Sequence, residues 1–98
     1  MFIDLFVHGS LTDADRRLEV FGRPVPYMAP DTANGYRDDP IEGVEYPLLA
    51  CDSAMVHGGR VVIHKDELRF LDEYGLTTHA PKEIILMSGK EAWAMLRK

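Results

Sequence analysis

The sequence is poor in cysteine. Cys51 is the only cysteine among 98 residues, so the chain cannot form a disulfide bond within itself or a zinc site built from several thiolates. A nucleophilic role for Cys51 would need a partner residue that the sequence does not indicate. Because a lone cysteine most often behaves as a small apolar residue of the core, we expect Cys51 to be a buried free thiol.

The sequence also lacks a long hydrophobic run. No apolar stretch approaches the roughly 18 residues that a membrane-spanning helix requires. The N-terminal residues include Asp4 and have no basic flank of the kind that begins a signal peptide. These two absences predict a soluble, cytoplasmic protein with no membrane partner.

Positive charge is scarce as well. Lysine and arginine total 11 against 16 acidic residues, and the net charge is −5. A protein that binds nucleic acid would instead cluster its lysines and arginines, so we expect no nucleic-acid partner. The acidic side chains are densest from Asp31 to Glu45, where five carboxylates accompany one arginine. Because their spacing is not that of a calcium-binding loop, we expect a solvated loop there.

The apolar residues, 46% of the chain, suffice for one core, and we expect residues 1–98 to form a single domain. The stretch from Phe2 to Val7 is almost entirely apolar and predicts a buried strand. Apolar residues then recur every three or four positions and predict a helix from Leu11 to Phe21, capped by Ser10 or Thr12 and ended by Gly22.

The remainder of the chain predicts more strands than helices. The predicted elements are strands at residues 32–37, 48–52 and 56–64, a helix from Lys65 to Tyr74 ended by Gly75, and a terminal hairpin of residues 83–88 and 92–96. The pair Gly58-Gly59 within the third of these strands indicates a bulge or a close approach of another backbone. This order predicts an α+β fold, a small mixed β-barrel flanked by helices.

The segment FVHGSL, residues 6–11, joins the first strand to the first helix. Gly9 permits the backbone to approach a ligand closely, and the amides of Ser10 and Leu11 can point at a carboxylate or a developing oxyanion. Two other interpretations stay open. The same residues can form an ordinary helix cap, or His8 and Ser10 can belong to a hydrolase, although the G-x-S-x-G pattern is absent.

Other titratable residues give weaker signals. The four histidines are His8, His57, His64 and His79. None of them has the i, i+4 spacing of a helical metal site, so we expect no bound metal. Asp72 and Glu73 fall at the C-terminal end of the second predicted helix, where the helix dipole raises carboxylate pKa values and would suit proton transfer. The alternative is that both side chains simply face water.

Seven segments of the chain are, in order, LFVHGSLTD, VFGR, NGYR, EYPLLACD, MVHGGRVVI, LRFLDEYG and KEAWAML. In this order, and over nearly the whole chain, they resemble the γ-glutamylcyclotransferase-like family. The resemblance implies a small β-barrel flanked by helices, in agreement with the fold inferred from the residues. It also implies a cyclisation in which the α-amine of a γ-glutamyl group attacks its own side-chain amide. The products are 5-oxoproline and a released amine or amino acid, and no metal or cofactor is implied.

The resemblance implies that His8, Gly9, Ser10 and Leu11 bind the glutamyl group. His8 stands where the family pattern has tyrosine. A γ-glutamyl or similar small anionic metabolite is therefore the expected ligand.

The family's acid and base is a glutamate, and its position is occupied by Gly75. Glu73, two residues earlier, is the remaining candidate for the catalytic role, although two residues on a helix turn it to about the opposite face. Imidazole titrates near neutral pH, so His8 or His79 is an alternative base. The sequence leaves open whether the protein cyclises its ligand. The alternative is a catalytically deficient protein that binds or sequesters a ligand in the same pocket or presents a protein-interaction surface. The oligomeric state is also open.

Overall fold

The computed structural model describes residues 1–44, 47–72 and 77–98. Its elements, in chain order, are β1 (Phe2–Val7), a short 3₁₀ helix (Gly9–Thr12), α1 (Ala14–Phe21), β2 (Tyr27–Asp38), β3 (Leu48–His64), a longer 3₁₀ helix (Lys65–Asp72), β4 (His79–Ile85) and β5 (Glu91–Arg97). In these parts of the chain no helix combines the length and the apolar character needed to cross a membrane.

Helix α1 begins at Ala14, three residues later than the sequence predicts. The side chain of Asp13 accepts a hydrogen bond from the amide of Asp15 at 3.2 Å and caps the helix, so the predicted caps Ser10 and Thr12 were wrong. The predicted end is confirmed. Gly22 lies in the left-handed region with φ of 69°, and its amide donates to the carbonyl of Leu18 at 2.8 Å.

The predicted strands 48–52 and 56–64 are one continuous strand, β3. It pairs with β2 from Tyr27↔Val61 to Asp38↔Leu49 and forms a long antiparallel ribbon. The middle of β3 is exposed, and Cys51 lies in that stretch. The expectation of a buried thiol was therefore wrong, because the ribbon extends beyond the core that would have covered Cys51.

The two glycines of β3 mark a close approach of neighbouring chain, as the sequence predicted. A Cβ atom at Gly58 would overlap the carbonyl oxygen of Val7, and one at Gly59 would overlap the ring of Tyr27. Glycine at position 58 therefore lets the backbone of β1 approach β3 closely, whereas at position 59 the contact is with the outer end of the Tyr27 side chain.

The five described strands form one curled sheet in the order β2-β3-β1-β5-β4. β1 is antiparallel to β3 and parallel to β5, with Leu5 opposite Val61 and Trp93 respectively. The first residues of β3 also pair with β5, at Leu48↔Met95 and Leu49↔Leu96. This additional pairing curls the sheet into a partly closed barrel. The predicted fold, a small mixed barrel with helices outside, is confirmed.

Apolar side chains fill both faces of the sheet. Leu5 and Val7 of β1 point to the face covered by the helices, together with Leu11, Phe21 and other residues of the larger core cluster. Phe6, between them in the sequence, packs on the opposite face in a second cluster with Leu49 and Ile84. The continuous apolar run of β1 is explained by this burial on two sides, since strand residues alternate between faces.

Two carboxylates of the acidic stretch are buried, so the expectation of a solvated loop was wrong for them. Asp31 and Asp39 are 9% and 5% exposed. Asp31 accepts a hydrogen bond from Arg60 Nε at 2.8 Å, and Asp39 accepts one from Arg97 Nε at 2.7 Å. The arginine partners lie 29 and 58 residues away along the chain. The pattern of charges near each aspartate therefore does not indicate that it is paired and buried.

The second predicted helix is a 3₁₀ helix, Lys65–Asp72. Its predicted end, at Tyr74 and Gly75, lies outside the described residues. The terminal hairpin is present, with β4 and β5 joined through the Ser88-Gly89 turn, where Gly89 has φ of 87° and its amide donates to Leu86 at 2.9 Å.

Candidate functional site

The segment after β1 turns sharply at Gly9. His8 is still extended, with φ of −146° and ψ of 171°. Gly9 has φ of 60°, a left-handed conformation that residues with a Cβ atom rarely adopt. The chain then enters the short 3₁₀ helix, where the hydroxyl of Thr12 donates to the carbonyl of Gly9 at 2.6 Å. Glycine at this position therefore makes the change from strand to helix possible.

A concavity of about 140 Å³ opens beside this turn. The described residues that line it are His8, Gly9 and Ser10 on one side and Asp38, Pro40, Val44 and Pro47 on the other. The second group belongs to the end of β2 and the segment that leads to β3. Three of the four residues predicted to bind substrate thus line a hollow that is open to solvent.

Leu11, the fourth predicted binding residue, does not line the concavity. Its side chain is fully buried in the larger core cluster. Its carbonyl accepts a hydrogen bond from Nη1 of buried Arg17 at 3.0 Å. Leu11 therefore anchors the turn to the core, through its buried side chain and through its carbonyl. Glu73, the predicted catalytic residue, and Gly75 lie outside the described residues.

His8 is buried at the edge of the concavity. Its ring stacks on Phe6, with 5.8 Å between ring centroids, and it is 5% exposed. Nδ1 lies 3.9 Å from Oδ1 of Asp38. Among the described residues, Nε2 has no hydrogen-bond partner. Burial lowers the pKa of His8 below its usual 6.5, and the charge of Asp38 opposes this only in part. The imidazole is therefore mainly neutral at pH 7.

Asp38 and its neighbour Asp39 have different environments. The Asp38 side chain is 60% exposed and lines the concavity. Asp39 is buried, and its carboxylate accepts hydrogen bonds from three donors. They are Nη1 of Arg37 at 3.0 Å, Nε2 of His79 at 2.7 Å and Nε of Arg97 at 2.7 Å. The amide of Asp39 also donates to the carbonyl of Leu48 at 2.8 Å. Asp39 therefore anchors the chain that presents Asp38.

The hydrogen bonds to Asp39, the one from Arg97 foremost, lower its pKa from 3.8 to about 2. Asp39 is consequently ionised near neutral pH. His79, the alternative base suggested by the sequence, is 1% exposed and is held between Asp39 and the hydroxyl of Thr78. It does not line the concavity, so its role in the structure is to hold Asp39.

Sequence reasoning missed Asp38. Its position within the acidic stretch suggested a solvated side chain, and no local pattern distinguishes it from the other carboxylates there. The available signal was the Asp38-Asp39 pair directly after a predicted strand, because adjacent residues at a strand end project to opposite sides. Within residues 1–44, 47–72 and 77–98, no group of three or more His, Cys, Asp or Glu side chains could hold a metal ion.

The curled five-stranded sheet can be compared with those of solved structures. A structure described as a γ-glutamyl cyclotransferase superposes on 98% of the chain with a TM-score of 0.70 and 14% sequence identity. The chain has the γ-glutamyl cyclotransferase fold. Two Arabidopsis thaliana proteins with known solution structures share this fold, each at 20% identity, with TM-scores of 0.68 and 0.67 over 99% and 98% of the chain.

These structural similarities show a shared fold and not a shared activity, because the sequence identity to each of the three proteins is 20% or lower. The chain spans 61% to 67% of the length of the three proteins. No protein-family model matches the sequence, and no curated protein is significantly similar to it.

Proposed function

We propose that the protein binds a γ-glutamyl compound, or a similar small metabolite, with its glutamyl end in the concavity beside Gly9, and that it cyclises this ligand to 5-oxoproline. The observation that carries the proposal is the concavity itself. It lies at the turn that the sequence resemblance assigns to substrate binding, within the γ-glutamyl cyclotransferase fold.

The size of the concavity supports a small ligand group. Pockets for whole drug-sized ligands measure roughly 300–1,000 Å³, whereas this one measures about 140 Å³. Such a space suits the glutamyl end of a ligand, and the amine or amino acid attached to it would extend toward solvent. The protein would then select its substrates mainly by the glutamyl end.

The proposed reaction makes few chemical demands on the protein. Nucleophile and electrophile belong to the same molecule, so the site needs to fold the substrate, accept a proton and stabilise an oxyanion. Asp38 and the neutral His8 are the titratable groups that line the described part of the concavity. Proton transfer is therefore within the chemistry of the residues present.

The test is incubation of the protein with a panel of γ-glutamyl amino acids and γ-glutamyl amines, with mass spectrometry of 5-oxoproline. We expect time-dependent 5-oxoproline from at least one member of the panel. Binding of the same panel is measured by thermal shift, since a ligand at 100 times its Kd stabilises the folded state by about 2.7 kcal/mol. Stabilisation without product would refute cyclisation and leave binding. No stabilisation and no product would refute the whole proposal.

Two glycine variants separate the site from general stability. Gly9→Ala adds a methyl group in the turn that lines the concavity, and Gly89→Ala adds one in the β4–β5 hairpin. The two positions match closely, since both glycines have positive φ, 60° and 87°, and a Cβ at either meets no atom within 4 Å. We expect both variants to lose similar stability and only Gly9→Ala to lose ligand binding. Equal binding by the two variants would place the ligand elsewhere.

A further inference from the structure

The described lining of the concavity carries a single carboxylate, that of Asp38, and neither lysine nor arginine. An anionic group without a counter-charge would therefore meet a negative side chain at the entrance. An ammonium group would be attracted to the same side chain. A ligand that carries both charges fits best, with its carboxylate toward the backbone of the turn and its ammonium toward Asp38.

We infer that Asp38 binds the α-ammonium group of the ligand and accepts its proton, so that it takes the role of the carboxylate that the sequence lacks at Gly75. This inference rests on the proposed function and deepens it, because it states which ligands the site accepts. It also narrows the expected class of ligand, a γ-glutamyl or similar small anionic metabolite. The site requires a free α-amine.

The surroundings of Asp38 support this role in two ways. Behind it, Asp39 is fixed by Arg37, His79 and Arg97, so the backbone that carries Asp38 is held in place. In front of it, Nδ1 of His8 lies 3.9 Å from the Asp38 carboxylate. His8 is buried, and its Nε2 lacks a partner among the described residues. Because His8 is mainly neutral, it adds no positive charge that would compete with the ligand's ammonium.

The proposed step is balanced in atoms and charge. The α-ammonium transfers one proton to Asp38, and the lone pair that this releases forms a C–N bond to the γ-carbonyl carbon. The bond from that carbon to the departing nitrogen then breaks. The departing nitrogen receives the proton held by Asp38 and a second proton that the attacking nitrogen loses as the ring closes. It leaves as an ammonium group, and the ring product is 5-oxoproline.

Selectivity for the free amine is the measurable consequence. Hydrogen bonds to charged groups correspond to affinity changes of about tenfold to a hundredfold. We expect γ-glutamyl-alanine to bind the wild-type protein more tightly than N-acetyl-γ-glutamyl-alanine by about this factor. Asp38→Asn is expected to remove the preference, because the neutral amide does not attract an ammonium group. Asp38→Asn is also expected to abolish 5-oxoproline production, and Asp38→Glu to restore part of it.

The experiment is calorimetric titration of the full chain with both ligands, for the wild type, Asp38→Asn and the control Asp66→Asn. Asp66→Asn changes the net charge by the same amount, and the Asp66 side chain is 80% exposed. Asp66 lies two residues after His64, which pairs with Phe2 at the end of β1 opposite to His8, so it is far from the concavity. We expect the control to keep the wild-type preference. Wild-type protein that binds both ligands equally would overturn the inference while the proposed function stands. So would Asp38→Asn protein that keeps the preference. Wild-type protein that binds neither ligand would overturn both.

Discussion

Asp39 is the side chain whose removal the structure predicts to be most costly near the concavity. Its carboxylate is 7% exposed and accepts hydrogen bonds from Arg37, His79 and Arg97. The lowering of its pKa from 3.8 to about 2 corresponds to about 2 kcal/mol of folding free energy. Asp39→Asn also leaves buried donors poorly paired, and we expect a total loss of about 2–4 kcal/mol at pH 7. For a domain of this size, such a loss lowers Tm by roughly 10–20 °C.

The sign of the pH dependence follows from the direction of the shift. Because the pKa of Asp39 is lower in the folded state, its contribution is complete above about pH 5 and is lost as the pH falls through 3.8 toward 2. Urea unfolding from pH 7 to pH 2 measures this directly. The stability difference between wild type and Asp39→Asn should be constant above pH 5 and should shrink by about 2 kcal/mol in acid.

Asp52→Asn provides the matched control. Asp52 also pairs with Arg37, at 3.6 Å, but its side chain is 45% exposed, and exposed pairs contribute about 0–1 kcal/mol. If Asp39→Asn unfolds within about 0.5 kcal/mol of the wild type, or if the difference between them does not change with pH, the reasoning about the buried cluster is refuted.

Two further substitutions test the close packing and the buried imidazole. Gly58→Ala should lose about 3 kcal/mol or more, or fail to fold, because its Cβ would overlap the Val7 carbonyl oxygen; urea unfolding that matches Gly89→Ala would contradict this approach of β1 and β3. For His8, burial lowers the pKa in the folded state, so the unfolded chain binds its proton first and stability falls as the pH drops below 6.5. Wild type should therefore lose more stability than His8→Gln between pH 7 and pH 5, and equal losses in urea titrations would refute a depressed pKa.

The features that could be predicted from the sequence are those with local causes. Gly22 ends α1 because only glycine readily adopts the left-handed conformation, and the Ser88-Gly89 turn joins β4 and β5 for a similar reason. The apolar run of β1 indicated a buried strand, and Leu5, Phe6 and Val7 are buried in the two core clusters on either face of the sheet. The turn at His8, Gly9 and Ser10 could likewise be singled out from residue types alone.

The features that escaped prediction depend on distant partners. Asp31 and Asp39 can be buried because Arg60 of β3 and Arg97 of β5 donate hydrogen bonds to them. The residues next to the aspartates in the sequence give no indication of these partners. The middle of β3 falls between the two predicted strands, 48–52 and 56–64. It is a strand because it pairs with β2 in a ribbon exposed to solvent, where no apolar alternation is required.

Of the two sides of the concavity, the one formed by His8, Gly9 and Ser10 could be predicted from the sequence, and the one that contains Asp38 could not. Asp38 comes next to His8 only because β2 and the first turn meet at the same end of the curled sheet. Such a meeting is a property of topology and register, which residue patterns in either segment do not encode.

The position of β1 in the sheet has a consequence for the living cell. Of the five described strands, β1 is translated first, yet Leu5 pairs with Val61 and Trp93, which are translated much later. Until β3 and β5 have been translated, the apolar residues of β1 have neither pairing partner and can aggregate with other nascent chains. Because β1 pairs with both β3 and β5, the described barrel can close only after β5 has been translated, and not progressively along the chain.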